Sequence, residues 1–134
     1  MRIPQGYETD PGFDPAEDLI GPFYYQSVAD TYKFAFVAEE RHCNLIGIVH
    51  GGVLMTFADF SACIEATERY KDENCVTISF NSNFVSAGRV GELIECNANV
   101  TRKTGSMVFV TGEVYSNNEV LLTYSTVIKR LRER

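Results

Sequence analysis

Three kinds of pattern are missing from this sequence: a long apolar run, a Cys-x-x-Cys pair and a glycine-rich phosphate or dinucleotide loop. No stretch approaches the roughly 18 apolar residues of a membrane-spanning helix, and the first residues lack the apolar core of a signal peptide. We therefore expect a soluble, cytoplasmic protein with no membrane partner. The missing glycine loops argue against the common nucleotide-binding motifs. The unpaired spacing of the cysteines indicates reduced, structural thiols in a reducing compartment, and these are Cys43, Cys63, Cys75 and Cys96.

Basic residues are scarce at the start of the chain. Residues 1–40 hold eight acidic residues and two basic ones, while residues 41–134 hold ten of each, which gives the net charge of -6. This balance argues against a nucleic-acid partner. A small anionic ligand stays compatible with it, because local positive charge is offered by Arg89, Arg102, Lys103 and the tail residues Lys129, Arg130, Arg132 and Arg134. A solvated and partly disordered tail explains the last four residues equally well.

The length of 134 residues predicts one domain that buries a core without metals or disulfides. Residues 1–30 form an irregular N-terminal segment with one short helix, for which Asp14 is the expected cap, Pro15 the first residue and Gly21 the end. Short strands are predicted over residues 23–26 and 32–38. A central helix is predicted from Gly51 or Gly52 to about Tyr70. It is apolar nearly all round at first, so its first three turns should be enclosed on most sides.

The residues after the central helix change to the two-residue alternation of strands. Four strands are predicted, over residues 77–84, 94–101, 108–115 and 120–129; the first places Ile78, Phe80 and Phe84 on one face. Short turns between successive strands imply an antiparallel sheet. These elements predict an α+β fold in which one curved antiparallel sheet wraps around one long central helix. Such a sheet covers only one side of the helix, and the remaining apolar surface favours a second subunit.

One carboxylate inside the central helix suggests an enzyme. Asp59 is the only charged residue between His50 and Glu65, and its neighbours are apolar. A buried carboxylate is costly unless it is hydrogen-bonded or used, so Asp59 is either catalytic or a structural cap. A metal site at His42, Cys43 and His50 fits no standard spacing, and Cys63 has no local group to activate its thiol. We therefore expect no metal, no cofactor and no cysteine nucleophile.

The spacing around Asp59 resembles a known family. The pattern Asn44-x-x-Gly47-x-x-His50-Gly51-Gly52 followed by Asp59, together with Thr77-x-x-x-Asn81 and residues 84–88, is similar to the hotdog-fold thioesterases of the phenylacetic-acid-pathway (PaaI) type. The likeness covers roughly residues 32–130. It departs at Ala87-Gly88, where many relatives have proline and alanine. The resemblance implies a hotdog fold, hydrolysis of acyl-CoA thioesters without a cofactor, and active sites at the interface of a homodimer, commonly within a dimer of dimers.

The resemblance also implies roles for individual residues. Asp59 is the expected general base or nucleophile, and the Gly51 N–H is expected to polarise the thioester carbonyl. His50 would lie beside the thioester, and Asn44 would orient water or bind the carbonyl, unless Asn44 is simply a turn residue. Thr77 would hold the attacking water, although an ordinary strand threonine explains it as well. Gly52 serves either the substrate or only the tight entry into the helix, and Arg89, Arg102 and Lys103 are candidates for binding coenzyme A.

The distance along the helix adds a deduction of its own. Eight residues separate Gly51 from Asp59, which is about 12 Å at 1.5 Å per residue. One thioester carbon cannot contact both within one chain, so two subunits should share each site. Two rivals stay open: a non-catalytic acyl-CoA binding or sensing module, and a hotdog dehydratase acting on hydroxyacyl thioesters. Five aromatic residues either line an acyl tunnel or fill the core, namely Phe57, Phe60, Tyr70, Phe80 and Phe84.

Overall fold

The fold is one antiparallel sheet of seven strands around a long helix, and the computed structural model describes residues 2–132. The strands are β1 (Tyr24–Val28), β2 (Thr31–Val37), β3 (Asn74–Phe84), β4 (Leu93–Cys96), β5 (Asn99–Lys103), β6 (Met107–Ser116) and β7 (Glu119–Leu131). Helix α1 spans Pro15–Ile20, helix α2 spans Gly51–Thr67, and a 3-10 turn covers Glu40–His42. The strand order is β1-β2-β4-β6-β7-β3, with β5 also paired to β6. The predicted α+β architecture is confirmed.

Helix α1 forms where its capping residues predict it. The Asp14 carboxylate accepts hydrogen bonds from the N–H groups of Ala16 (3.0 Å) and Glu17 (3.1 Å), and Pro15 occupies the first turn. The helix ends at Gly21, whose N–H donates to the Glu17 carbonyl. These contacts satisfy backbone groups that a short helix otherwise leaves open.

Helix α2 starts at Gly51 as predicted but ends at Thr67, three residues before Tyr70. The chain leaves the helix because Glu68, Arg69 and Tyr70 have left-handed backbone angles, with φ of 51°, 61° and 58°. Within one chain the first turn is also less enclosed than predicted, since Gly52 is exposed while burial becomes continuous only after Asp59. The start of α2 therefore keeps accessible surface.

Strand β3 carries an irregularity that the alternation of its sequence hides. A bulge lies between Thr77 and Ser79 where β3 pairs with β7. Thr77 is half-buried, whereas Ile78 is 51% exposed and Phe84 is 57% exposed. The prediction that Ile78, Phe80 and Phe84 share one face is thus wrong for Ile78, because the bulge shifts the inward side by one residue. Phe80 and Phe84 follow the bulge in regular register and stay on one face. Since β3 is an edge strand, its outer face and its free edge stay open.

The strand predicted over residues 94–101 is divided into β4 and β5 at Asn97 and Ala98. The Asn97 carbonyl accepts a hydrogen bond from the Tyr124 hydroxyl at 2.8 Å. The chain comes so close to β6 there that a Cβ on Gly112 would lie 2.1 Å from the Asn97 oxygen. Glycine at position 112 therefore permits the break.

The core between sheet and helix is rich in aromatic rings. Phe57 of α2 packs against Phe36 of β2 and against Phe23, with ring centroids 4.8 and 5.2 Å apart, and all three residues are buried. Phe57 is therefore a core residue, and Phe23 ties the N-terminal segment to α2. Within residues 2–132, no helix combines the length and apolarity needed to span a bilayer.

Candidate active site

Asp59 lies in the middle of α2 and contacts Thr77 of β3. The Thr77 hydroxyl donates to Asp59 Oδ1 at 2.5 Å, and the Asp59 side chain is half-buried. The bulge in β3 allows this contact, because it leaves Thr77 facing the helix. Burial raises the pKa of Asp59 above the usual value for aspartate; the Thr77 bond opposes the rise, and the negative charge of Asp14 adds to it. The site thus holds a carboxylate that is more basic than normal yet oriented by a donor.

A thiol lies next to this pair but is not activated. Cys63 Sγ is 4.0 Å from Asp59 Oδ1 and 3.8 Å from Thr77 Oγ1. Hydrogen bonding to Cys75, burial and the nearby Asp59 all raise the pKa of Cys63. A thiol with a raised pKa stays protonated and makes a poor nucleophile.

The start of α2 forms a second half-site. A pocket of about 450 Å³ is lined by residues that include Asn44, His50, Gly51 and Phe84. Within the described part of the chain, the Gly51 N–H has no hydrogen-bond acceptor, as expected for the first residue of a helix. Such an N–H, together with the positive end of the helix dipole, stabilises negative charge. A Cβ on Gly51 would lie 2.7 Å from Phe84 Cε1, so glycine allows the Phe84 ring to cover this position.

His50 and Asn44 line the same pocket, but only the Asn44 side chain is held by hydrogen bonds within residues 2–132. His50 caps α2 through its backbone only, and its exposed ring forms no side-chain hydrogen bond within residues 2–132. Asn44 Oδ1 accepts from the N–H groups of Ile46 and Ile48, both at 3.0 Å. The turn interpretation of Asn44 is therefore correct for its oxygen. Its amide nitrogen donates no hydrogen bond within residues 2–132, so its N–H groups stay available to a ligand.

Of the residues predicted to bind coenzyme A, Arg89 lies nearest to the pocket at Gly51. Its backbone bridges to Ile48, and its side chain is exposed. Arg102 is exposed on β5, away from that pocket. Lys103 already has partners, because its ammonium donates to the Ala66 carbonyl at 2.9 Å and lies 3.6 Å from Glu73. Lys103 therefore stabilises the end of α2. Gly52, the remaining residue predicted to bind the substrate, is exposed next to Gly51, and a Cβ added to it would meet no atom within 4 Å.

The basic tail is largely structural. Lys129 and Arg130 belong to β7, and Arg130 pairs with Glu73 at 2.7 Å, so these residues are not part of a disordered tail. Arg132 donates to the Gly105 carbonyl. Arg134 lies outside the described residues.

Arg41 and His42 hold the N-terminal segment against the rest of the fold, which the sequence patterns did not predict. Arg41 donates to the carbonyls of Leu19 (3.0 Å), Ile20 (3.2 Å) and Gly21 at the end of α1. His42 is buried; its Nδ1 accepts from the Glu39 N–H and its Nε2 bonds to the Ile20 carbonyl at 2.6 Å. Both ring nitrogens are thus occupied, which argues against the metal site considered above. No cluster of potential metal ligands occurs among residues 2–132.

Docking of α1 brings more negative charge to Asp59. Burial, followed by the charges of Asp14, Asp59 and other acidic residues, raises the pKa of Glu17 to about 7. The only sequence signal for this arrangement is the excess of acidic residues before position 41.

The two half-sites are not joined within one chain. Asp59 and Thr77 lie together, as do Asn44, His50 and Gly51, but the two groups lie at different points of α2. The regular helix keeps Gly51 and Asp59 about 12 Å apart along its axis. Their catalytic roles stay predictions at this point.

Comparisons with known proteins show the family. Residues 46–123 match the model of the thioesterase superfamily. The chain belongs to the thioesterase superfamily. A Pseudomonas aeruginosa protein named as an esterase is 30% identical over 129 residues, which is 95% of this chain and 96% of that protein. Thioester hydrolysis is thus supported as the general activity, and the predicted resemblance to the hotdog thioesterases is confirmed.

Solved structures share the fold of this thioesterase. A phenylacetic-acid-degradation-related thioesterase of Ralstonia eutropha has a TM-score of 0.77 and 22% identity, covering 87% of this chain and 90% of its own. Zebrafish thioesterase superfamily member 2 has a TM-score of 0.75 and 23% identity, with coverages of 91% and 88%. A Streptococcus pneumoniae thioesterase protein with coenzyme A has a TM-score of 0.75 and 13% identity, with coverages of 84% and 88%. All three are hotdog folds like this one.

Proposed function

We propose that this thioesterase hydrolyses acyl-CoA thioesters at a site shared by two copies of the chain. One copy supplies Asp59 and Thr77, and the other supplies Asn44, His50 and the Gly51 N–H. The observation that carries the proposal is the half-buried Asp59 carboxylate held at 2.5 Å by Thr77, about 12 Å along α2 from an unpaired helix N–H. A carboxylate and an oxyanion donor at this separation suit one thioester only when they come from neighbouring chains.

The proposed reaction begins with the Asp59 carboxylate ionised. In one route, Asp59 takes a proton from water as the water oxygen bonds to the thioester carbonyl carbon. The carbonyl oxygen becomes an oxyanion bound by the Gly51 N–H. The carbon–sulfur bond then breaks, the leaving sulfur of coenzyme A takes the proton from Asp59, and Asp59 returns to its carboxylate form. In the other route, an Asp59 oxygen attacks the carbon, the thiolate leaves, and water hydrolyses the resulting mixed anhydride.

Thr77 has a defined part in either route. Its proton is committed to Asp59, so its oxygen can only accept a hydrogen bond from the attacking water. His50 and the Asn44 amide lie in the pocket at Gly51, where they can donate to the thioester carbonyl.

Coenzyme A as the leaving group is supported by two observations. The Streptococcus pneumoniae relative of the same fold carries coenzyme A. In this chain, Arg89 is an exposed cation beside the pocket at Gly51, suitable for a phosphate group. Arg102 stays a second candidate, whereas the partners of Lys103 leave it a structural role.

A homodimer, and a dimer of dimers beyond it, belong to the same proposal. The loop before α2 presents Leu45 and Ile46 at 106% and 73% exposure, and the edge strand β3 presents Val76 and Ile78 at 45% and 51%. Apolar residues this exposed favour association with another chain. The free thiols of all four cysteines support a reducing, cytoplasmic compartment.

The rival is a module that binds acyl-CoA without turnover. Release of free thiol from acyl-CoA substrates of different chain length separates the two, because a binding module releases none. We expect wild-type turnover and its loss in Asp59→Asn, with unchanged fold and oligomeric state. A fully active Asp59→Asn variant would refute the assignment. Single-turnover hydrolysis in oxygen-18 water tests the nucleophilic route, since water that attacks the Asp59 carbonyl of the mixed anhydride leaves its label in Asp59.

A further inference from the structure

A second, larger cavity lies between the N-terminal segment and the later half of α2. Its volume is about 890 Å³, within the usual range for small-molecule sites. Six aromatic rings line it, from Phe13, Phe23, Tyr25, Tyr32, Phe60 and Tyr70. The cavity is thus a built aromatic pocket, separate from the pocket at Gly51.

Glu17 is the unsatisfied group of this cavity. Its half-buried carboxylate lines the cavity and has neither a hydrogen-bond donor nor a cation as partner among residues 2–132. Two other acidic residues in the lining have partners: Asp10 accepts from the Tyr25 hydroxyl at 3.0 Å, and Asp18 accepts from the Gly12 N–H at 3.0 Å. The remaining one, Glu68, is exposed to solvent. A half-buried carboxylate without a partner is costly, and a positively charged ligand would remove that cost.

The charges around Glu17 define what the cavity can accept. Asp14 and Asp18 face it from α1, Asp10 from the preceding segment and Asp59 from α2, and all four raise its pKa after burial. Glu68, Arg69 and Lys71 complete the charged lining. The Arg69 guanidinium is held by Asp10 at 3.5 Å, so it does not serve Glu17. Four acidic residues and two basic ones line the cavity, so its net negative charge favours a cation over a carboxylate.

An aromatic ring in the wall of the cavity already contacts a cation of the protein, the Arg69 guanidinium. The guanidinium carbon of Arg69 lies 4.6 Å from the centre of the Tyr25 ring. This is the geometry in which an aromatic face attracts a positive charge. The Tyr70 hydroxyl has no hydrogen-bond partner within the described part of the chain, so it is available as an acceptor for an N–H group.

The cavity lies close to the proposed catalytic carboxylate, although Asp59 is not one of its lining residues. Phe60 follows Asp59 directly in α2, and Ile64 lies one turn later; both line the cavity. Glu17 is close enough to Asp59 for the two charges to interact. A group bonded to the thioester carbon at Asp59 could therefore extend into this cavity.

We propose that the cavity binds the acyl part of the substrate and selects acyl groups whose far end carries a positively charged amine, with Glu17 as the partner of the ammonium. This selectivity rests on the proposed thioester hydrolysis and adds a substrate class to it. The aromatic rings pack against the body of the acyl group and the amine, and the acidic lining excludes acyl groups that end in a carboxylate.

Three matched thioesters test the selectivity: the coenzyme A esters of 4-(aminomethyl)benzoate, 4-ethylbenzoate and 4-(carboxymethyl)benzoate. They differ mainly in the charge at the far end. We expect kcat/KM to be about tenfold higher for the amine than for the ethyl compound, and lowest for the carboxylate. The preference should grow from pH 6 to pH 8, because Glu17 ionises in this range while the amine stays protonated. Equal rates for the amine and ethyl compounds, or hydrolysis of other acyl-CoA substrates but not of the amine, would overturn the proposal.

Two variants test whether Glu17 itself, rather than the overall negative charge of the lining, causes the preference for the amine. Glu17→Gln should abolish the preference for the amine, so that kcat/KM for the amine falls to that for the ethyl compound. Glu68→Gln removes an exposed acidic residue of the same lining and should keep the preference. A preference that persists in Glu17→Gln would remove Glu17 from the proposal.

Binding gives a readout that does not depend on turnover. Isothermal titration should show binding of benzylamine to the wild-type protein, weaker binding of benzyl alcohol, and loss of the difference in Glu17→Gln. If no thioester is hydrolysed but benzylamine binds in this way, the hydrolytic function fails while the cation pocket stands as a binding site. If acyl-CoA substrates are hydrolysed and benzylamine shows no preference over benzyl alcohol, the pocket proposal fails alone.

Discussion

Replacing Gly51 with proline removes the N–H that we assign to the oxyanion without removing the start of α2. Gly51 is the first helical residue, where proline is well tolerated. The preceding residue, His50, has φ -57° and ψ 138°, an extended conformation of the kind that a residue before proline adopts. The substitution therefore deletes one donor from a helix that can still form.

The matched control is Gly51→Ala. Either substitution adds a Cβ that would lie 2.7 Å from the Phe84 ring, so both must displace that exposed ring. Only proline lacks the N–H. Loss of one oxyanion donor lowers kcat by about 100- to 1,000-fold in other hydrolases, and we expect this ratio between the alanine and proline variants with little change in KM. The assay is release of free thiol from an acyl-CoA substrate.

Mixing two inactive variants then tests whether each site is shared. If Gly51 and Asp59 of each site come from different chains, a dimer of one Gly51→Pro chain and one Asp59→Asn chain has one site with both defects and one intact site. Random pairing makes about half of the dimers mixed, so about a quarter of the wild-type activity should return. Two affinity tags show that mixed dimers have formed. A proline variant as active as the alanine variant refutes the oxyanion role, and tagged mixed dimers without activity refute the shared site.

Three further outcomes follow from the described contacts. Thr77→Val removes the hydrogen bond that lowers the pKa of Asp59, so the acidic limb of the pH profile of kcat/KM should move to higher pH. Thr77→Ser keeps the hydroxyl and should leave the limb in place. Identical limbs in the two variants would contradict the pairing of Thr77 with Asp59. Folding raises the pKa of Asp59, so the native state binds the Asp59 proton more tightly than the unfolded state does. Stability therefore falls as the pH rises from the pKa of Asp59 in the unfolded state to its pKa in the folded state. Asp59→Asn should raise the melting temperature at pH 8 and raise it less at pH 4. Gly112→Ala places a Cβ 2.1 Å from the Asn97 oxygen and should lower the free energy of unfolding in urea by about 1–3 kcal/mol, while Gly105→Ala, which has open space, should not.

The elements that follow local rules could be predicted from the sequence. Asp14 and Pro15 mark the start of α1, and the glycine before an apolar run marks the start of α2 at Gly51. These signals act over a few residues, so no knowledge of the tertiary structure is needed. The isolation of Asp59 in an apolar helix likewise identified the carboxylate that the structure places against Thr77.

The departures all depend on contacts between distant parts of the chain. The break at Asn97 requires Tyr124 and Gly112 of two other strands, and the bulge at Thr77 is defined only by the register of β3 on β7. The docking of α1 depends on Arg41, which is 20 to 22 residues away from the carbonyls it contacts. Periodicity carries no information about such pairs, so the cavity around Glu17 could not be predicted.

The contacts of Arg41 and His42 with the end of α1 attach a cavity wall that lies outside the family match. The family match covers residues 46–123, whereas one wall of the large cavity is built from residues 9–25. The attachment of that wall uses backbone carbonyls at residues 19–21, which any sequence can offer. Evolution, or a chimera made in the laboratory, could therefore replace the first 22 residues and change the accepted acyl group without altering Asp59, Thr77 or Gly51.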